Sequence, residues 1–160
     1  MEDEADLPSG VTIRDFSPGD LAAVAEIASA SAEAAQWTPE SYSELAASPG
    51  SFLLVAEGRS SLDGFVAAHS AAGEAEILNL AVRGKARRNG IGTAMLTAAL
   101  QRFDRMGLMS VFLEVRESNA AAMGLYQKSG FSVTGRRKRY YRDPVEDAVC
   151  MMKRLTGTGS

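Results

Sequence analysis

Apolar and polar residues alternate along "VTIRDF", a period of two that predicts an opening strand over Val11–Phe16. The period then lengthens. Leu21, Val24, Ala25 and Ala28 recur at helical spacing behind "SPGD". There Ser17 reads as an N-cap, Pro18 as the first helical residue and Asp20 as the acid reaching back in a capping box. A break containing Trp37 precedes a short second helix, roughly Pro39 to Ala47. "SFLLVAE" and "SLDGFVAAHSA" read as strands about a turn near Gly58–Ser61, and "EAEILNLAV" continues the meander. "IGTAMLTAALQRFDRMG" is helical and stops at Gly107. "LMSVFLEV" is almost continuously apolar, which predicts a central strand covered on both faces. Ser118 is expected to cap "NAAAMGLYQKSG", a helix closed by Gly130. "FSVTGRRKRYY" and "EDAVCMMKRL" complete the pattern as two strands joined at "RDP".

The order β-α-α-β-β-β-α-β-α-β-β predicts the α/β class, with a mixed sheet carrying helices on its faces. No internal repeat is visible. At 160 residues and 46% apolar content, one domain with a substantial core is expected. It spans 11–155, between an acidic tail at 1–10 and a Gly/Ser/Thr-rich tail at 156–160.

Charge changes this picture only locally. The formal net charge of −3 gives no global pull toward nucleic acid or membrane. "MEDEAD" is acidic, while "RGKARR" and "GRRKRYYR" are basic. The second basic run suits an acidic peptide or RNA, or serves solubility alone. Cys150 and His69 are the sole residues of their types, so neither a disulfide framework nor a zinc site is expected. No apolar run reaches the ~18 residues of a membrane span, and no signal segment opens the chain. A cytoplasmic protein, monomeric or weakly dimeric, is expected.

Candidate chemistry begins at "RRNGIGTAM". A Walker A loop needs a lysine after its last glycine, and a dinucleotide fingerprint needs a third glycine where Met95 stands. Neither fits. Arg87-x-x-Gly90-x-Gly92 opens a helix, whose free N–H groups and positive end suit an anion. Arg83, Lys85, Arg87 and Arg88 add charge nearby. The turn suits a pyrophosphate, or it merely links strand to helix.

The second cluster is "LEVRESNAAAMGLYQKSGF". Glu114 lies among apolar neighbours, where desolvation would push a carboxylate toward a useful base. The alternative is a structural ion pair with Arg116, two residues on along the same strand face. Asn119, Met123 and Tyr126 share one helical stripe. Tyr126 there is a core residue or a proton donor.

Together "ILNLAV", "RRNGIG" and "LEVRESNAAAMGLYQKSGF" resemble the GNAT superfamily of acetyl-CoA-dependent N-acetyltransferases. More narrowly, they are similar to the bacterial ribosomal-protein-alanine N-acetyltransferase family. The likeness spans roughly Glu74 to Leu155. The Arg/Gln-x-x-Gly-x-Gly/Ala signature is specific to the superfamily, and "LEVR-x-SN-x-x-A-x-x-LY-x-x-x-GF" to the family. The resemblance implies a mostly antiparallel sheet with helices on both faces and acetyl-CoA as cosubstrate, with no metal. It implies that the backbone of Leu80, Ala81 and Val82 aligns the pantetheine arm. The amides of Arg88, Asn89, Gly90, Ile91, Gly92 and Thr93 would cradle the pyrophosphate, and Asn119 would touch the cofactor arm. Glu114 becomes the general base and Tyr126 the general acid. Ala86 stands where the family often has an aromatic, and Arg83-Gly84 where it often has "DP".

Trp37, Tyr140 and Tyr141 lie in segments where related N-terminal acetyltransferases place peptide-binding loops, and ordinary packing is the alternative for Trp37 and Tyr140. Cys150 is expected to pack within its strand and His69 to be structural. The expected activity is transfer of acetyl to a protein N-terminal α-amine, Ala- or Ser-starting, with a ribosomal protein as the candidate target. A small amine or lysine side chain is the alternative acceptor, and a non-catalytic acyl-CoA-sensing module the alternative role.

Overall fold

Every strand and helix read from the sequence forms, in the expected order. The computed structural model describes residues 7, 10–31, 37–87 and 89–156. The strands are β1 (Thr12–Asp15), β2 (Ser51–Glu57), β3 (Leu62–Ala71), β4 (Glu74–Val82), β5 (Ser110–Arg116), β6 (Ser132–Tyr141) and β7 (Glu146–Arg154). The helices are α1 (Leu21–Ala30), α2 (Pro39–Ala47), α3 (Ile91–Arg105) and α4 (Ala120–Lys128). Nearly all of the two expected tails lies outside the described residues.

Two N-termini differ from expectation. The Ser17 N–H does donate to Asp20 Oδ2 at 2.8 Å, but this box opens a 3-10 turn over Pro18–Asp20. The α-helix proper starts at Leu21. At α4 the cap is Asn119 rather than Ser118. Asn119 Oδ1 accepts the Ala122 N–H at 3.1 Å, satisfying one of the first-turn donors.

The seven strands form one sheet in the order β1-β2-β3-β4-β5-β7-β6. All neighbours run antiparallel except β4 and β5. Helices pack on both faces. On one face, Val111, Leu113 and Val115 of β5 meet Ile91, Met95, Leu96, Ala99 and Phe103 of α3, with Tyr126 of α4. On the other, α1 and α2 cover the β2–β3 region through Val24, Ile27, Tyr42, Leu53, Val55 and Phe65. That second cover does not extend over β5. Phe112, Glu114 and Arg116 are half-buried in strict alternation with the buried Val111, Leu113 and Val115. The expectation of a strand covered on both faces is therefore corrected. An apolar run does not reveal that only one layer of helices reaches it.

Two irregularities in β4 position the site. Its parallel ladder with β5 is confined to Ala75–Val111 and Glu76–Phe112. Toward its C-terminal end β4 parts from β5 and leaves a crevice. On its other side, the β3–β4 register shifts so that Ala67 pairs with Asn79 and Ala68 with Ile77, with Leu78 left over as a bulge. The extra residue of a bulge reverses the facing of the side chains beyond it. Ile77 belongs to the α3-side core, whereas Asn79 on the opposite side donates to the buried Tyr42 hydroxyl at 3.1 Å.

Candidate active site

At the mouth of α3, Gly90 is the N-cap and takes φ +79°, a left-handed conformation that favours glycine. The first bond of this end is Ala94 N–H to Gly90 O at 2.9 Å. The amides of Ile91, Gly92 and Thr93 precede it, so they lack helical acceptors and form the positive end of a fifteen-residue helix. Gly92 is helical. A Cβ there would meet Leu125 Cδ2 at 3.5 Å and Val82 Cγ2 at 3.7 Å, so its absence leaves room between α3, α4 and β4. These features fit a pyrophosphate with a thin arm running along β4. Asn89 is exposed beside them, and Arg88 lies outside the described residues. Arg83 does not lend its charge as expected. It donates to Glu26 at 2.8 Å and to the Leu62 carbonyl at 3.0 Å. Arg87 donates through Nε to the Val82 carbonyl at 3.1 Å.

The crevice between β4 and β5 is lined by Leu80, Glu114, Asn119, Tyr126 and Tyr141, among others. Five residues singled out from sequence thus converge. Ala81 and Val82 continue the same strand, with Ala81 buried on the α1–α2 side. Tyr126 is buried and stands edge-on to Phe131 at 5.7 Å between ring centroids. Burial, and then the neighbouring Tyr141, push its phenol well above the usual tyrosine range. It is therefore a hydroxyl, and a donor, at any physiological pH. Tyr141 is pushed up to about 12 by burial and then by the charge of Glu114. The Arg116 guanidinium lies 4.5 Å from its ring centroid.

Glu114 also borders a second, wider space. A cleft of about 370 Å³ on the uncovered face is lined by His69, Glu76, Phe112, Glu114, Arg137 and Cys150, among others. Glu114 is thus the residue shared by crevice and cleft. Its ion-pair partner is not Arg116, which bonds Glu146 instead at 3.2 Å. The partner is Arg137, whose Nε lies against Glu114 Oε2. Arg137 stands on β6 and reaches across β7, a juxtaposition invisible along the chain. Tyr140 faces the same carboxylate. Burial first, then the Glu114 charge, raises its phenol.

Of three further side chains, one departs from expectation. Cys150 is half-exposed and lines the cleft rather than packing inside. His69 pairs through Nε2 with Glu76 Oε1 at 3.0 Å on the cleft wall, which is a structural partner with a place at the site. Trp37 is not brought to the Tyr140–Tyr141 pair. It stacks on Tyr42 at 5.0 Å and lines a shallow groove with Ser41, Glu44, Leu45 and Ser48. Among the described residues, no three His, Cys, Asp or Glu side chains gather to hold a metal, and no helix is long and apolar enough to cross a membrane.

The profile of the acetyltransferase (GNAT) family matches residues 21–131 of this chain. The chain belongs to that family. This GNAT acetyltransferase is 34% identical over 146 residues to a Bacillus subtilis (strain 168) protein provisionally named a ribosomal protein bS18-alanine N-acetyltransferase, covering 91% of this chain and 96% of the relative. The crystal structure of the ribosomal-protein-S18-alanine N-acetyltransferase from Escherichia coli superposes with a TM-score of 0.81 at 27% identity, covering 94% of this chain and 97% of that one. An acetyltransferase of the same fold from Bacillus anthracis str. Ames, 20% identical with a TM-score of 0.75 over 91% of this chain and 98% of its own, was solved in complex with acetyl coenzyme A. The protein is an N-acetyltransferase with acetyl-CoA as its cosubstrate.

Proposed function

We propose that this acetyltransferase modifies the α-amine of a protein N-terminus, Ala- or Ser-starting and belonging to a ribosomal protein. The observation that carries this reading is the position of Glu114. One carboxylate borders both the crevice beside the α3 mouth and an open cleft wide enough for a peptide end. A cytoplasmic reaction follows from such an acceptor.

The amides of Asn89 to Thr93, with Arg88, hold the pyrophosphate, while Leu80, Ala81, Val82 and Asn119 line the arm. The thioester supplies the acyl carbon. The acceptor nitrogen forms its C–N bond there as the C–S bond breaks. Two protons leave the nitrogen overall. Glu114 takes one, and the second replaces the proton that Tyr126 hands to the departing sulfur. The raised phenol of Tyr126 keeps that proton available. Backbone along the end of β4 that is splayed from β5 suits the developing oxyanion. Tyr140 and Tyr141 border the incoming peptide, with Trp37 farther away, just before α2.

The chemistry of the base favours an α-amine. Deprotonating a group of pKa about 8 at neutral pH costs roughly 1 kcal/mol, against roughly 5 kcal/mol for lysine. A single carboxylate meets the first demand more readily than the second. The names of the relatives, which specify an alanine of ribosomal protein bS18, point the same way.

The test is thiol release from acetyl-CoA with Ala- and Ser-starting peptides, Nα-blocked lysine peptides and polyamines. Turnover on free α-amines that disappears when the same peptides are Nα-blocked supports the reading. Faster turnover on blocked lysine peptides or polyamines would overturn it.

A further inference from the structure

We propose that Arg137 discriminates among acceptors. Its guanidinium holds the acceptor ammonium's place on Glu114 until a cationic amine displaces it. This rests on Glu114 acting as the base.

The Glu114 oxygen that Arg137 touches, Oε2, is closed to solvent and makes no aligned hydrogen bond among the described residues. The carboxylate side chain is 19% exposed and Arg137 is 63% exposed. One end of the guanidinium therefore plugs the cleft floor while the rest of the side chain lies in water. Arg137 is also the last residue of a regular stretch. The β6–β7 ladder pairs Arg137 with Ala148, breaks, and resumes only at Tyr141 with Glu146. Within the break, Arg139 takes φ +52° and its N–H donates to Asp147 Oδ1 at 2.9 Å. Arg137 can swing from this edge without disturbing a packed layer.

Arg116 shows what a fixed arginine looks like in the same region. It is 14% exposed, bonds Glu146, and donates to the carbonyls of Pro144 at 3.2 Å and Arg142 at 3.1 Å. Among the described residues Arg137 has no backbone carbonyl anchors of this kind; besides Glu114 it meets the Cys150 side chain and lies loosely over the Tyr140 ring, at 5.7 Å.

Removing the cation from a largely buried carboxylate whose Oε2 is closed to solvent leaves a poorly paired charge, which is costly. Exchanging one cation for another avoids that cost. An α-ammonium entering the cleft can replace the guanidinium on Glu114 and then surrender its proton there. Water and alcohols bring no charge and leave Arg137 in place. The pair thus selects amines and restrains hydrolysis of the thioester when no acceptor is present.

The experiment measures R137Q and R137K with acetyl-CoA and an Ala-starting peptide, recording acceptor KM, kcat and thiol release without acceptor. R137Q is expected to lower the peptide KM about three-fold and to raise acceptor-free thiol release by a similar factor, the scale of one partly exposed ion pair. R137K is expected to return both toward the parent values. The effect falls on KM rather than kcat. A raised KM, or acceptor-free release at the parent rate, would overturn the proposal. E114Q separates the two layers. Parent-like kcat in E114Q removes Glu114 as base, whereas a slow E114Q beside an R137Q with unchanged KM removes only the role of Arg137. In E114Q/R137Q the gain in acceptor-free release should vanish, and its persistence would also count against the proposal.

Discussion

Cys150 stands directly across the sheet from Glu114, and both side chains open onto the same cleft. A bulky group on that sulfur would therefore crowd the Glu114 carboxylate without touching the α3 mouth. N-ethylmaleimide is expected to slow peptide acetylation and to leave CoA binding intact. Cys150→Ala should be resistant to the reagent and still turn over, because no covalent step uses the thiol. Full alkylation of Cys150 with undiminished peptide turnover would show that the cleft is not where acceptors enter.

Replacing Glu114, the proposed base, should be felt most where the acceptor needs deprotonation. Below the α-amine pKa of about 8 most acceptor is ammonium, and above it the amine is already free. Glu114→Gln is expected to depress kcat/KM strongly at about pH 7 and progressively less as the pH rises past that pKa, with the CoA Kd nearly unchanged. Tyr126→Phe should differ. Its phenol is raised by burial, so it stays protonated across this window and adds no titrating limb. A uniform fall in rate with an unshifted profile is expected. A pH–rate profile for Glu114→Gln parallel to the parent's would remove that residue from proton transfer.

The two glycines of the α3 mouth do different jobs. Any side chain at Gly90 must sit at φ +79°, which costs about 1–2 kcal/mol before ligand is considered. At Gly92 a methyl meets Leu125 and Val82 at ordinary contact distance, so Gly92→Ala should fold normally. It should nevertheless weaken CoA binding about ten-fold, equivalent to about 1.4 kcal/mol, by narrowing the passage beside β4. Calorimetric titration with CoA checks this. Parent affinity in Gly92→Ala would place the arm elsewhere.

Asp20 offers a test of the frame rather than the site. It accepts two hydrogen bonds from Arg14, at 2.8 and 2.9 Å, and one from the Ser17 N–H. Arg14 chiefly, and the backbone bond, hold its carboxyl below the usual range. A depressed carboxylate stabilises the fold above its unfolded pKa of about 4 and ceases to do so as pH falls through the folded value. Asp20→Asn should cost about 1 kcal/mol at pH 7, discounted for the partial exposure of Arg14. The gap should close as the pH drops well below about 4. Urea denaturation at both pH values measures it.

The elements and their order were legible because period, caps and glycine stops are local. The α3 glycine turn was legible for the same reason, since Gly90 and Gly92 act within one helix end. Glu114, Asn119 and Tyr126 could be read as a group because one strand, one turn and one helix hold them. The departures came where strands distant in sequence meet. Arg116 was the natural partner to expect for Glu114 because it lies two residues away. The sheet, however, places β7 between β5 and β6.

The set of elements, the glycine-opened helix mouth and the resemblance carried by its motifs were determined by sequence alone, all written in contiguous residues. Tertiary structure alone decided that one face of β5 stays open, that Cys150 faces Glu114, and that Arg137 crosses β7 to cover that carboxylate. Strand order and register are set by which apolar faces find a cover, and that is a competition among whole layers rather than a property of any short stretch.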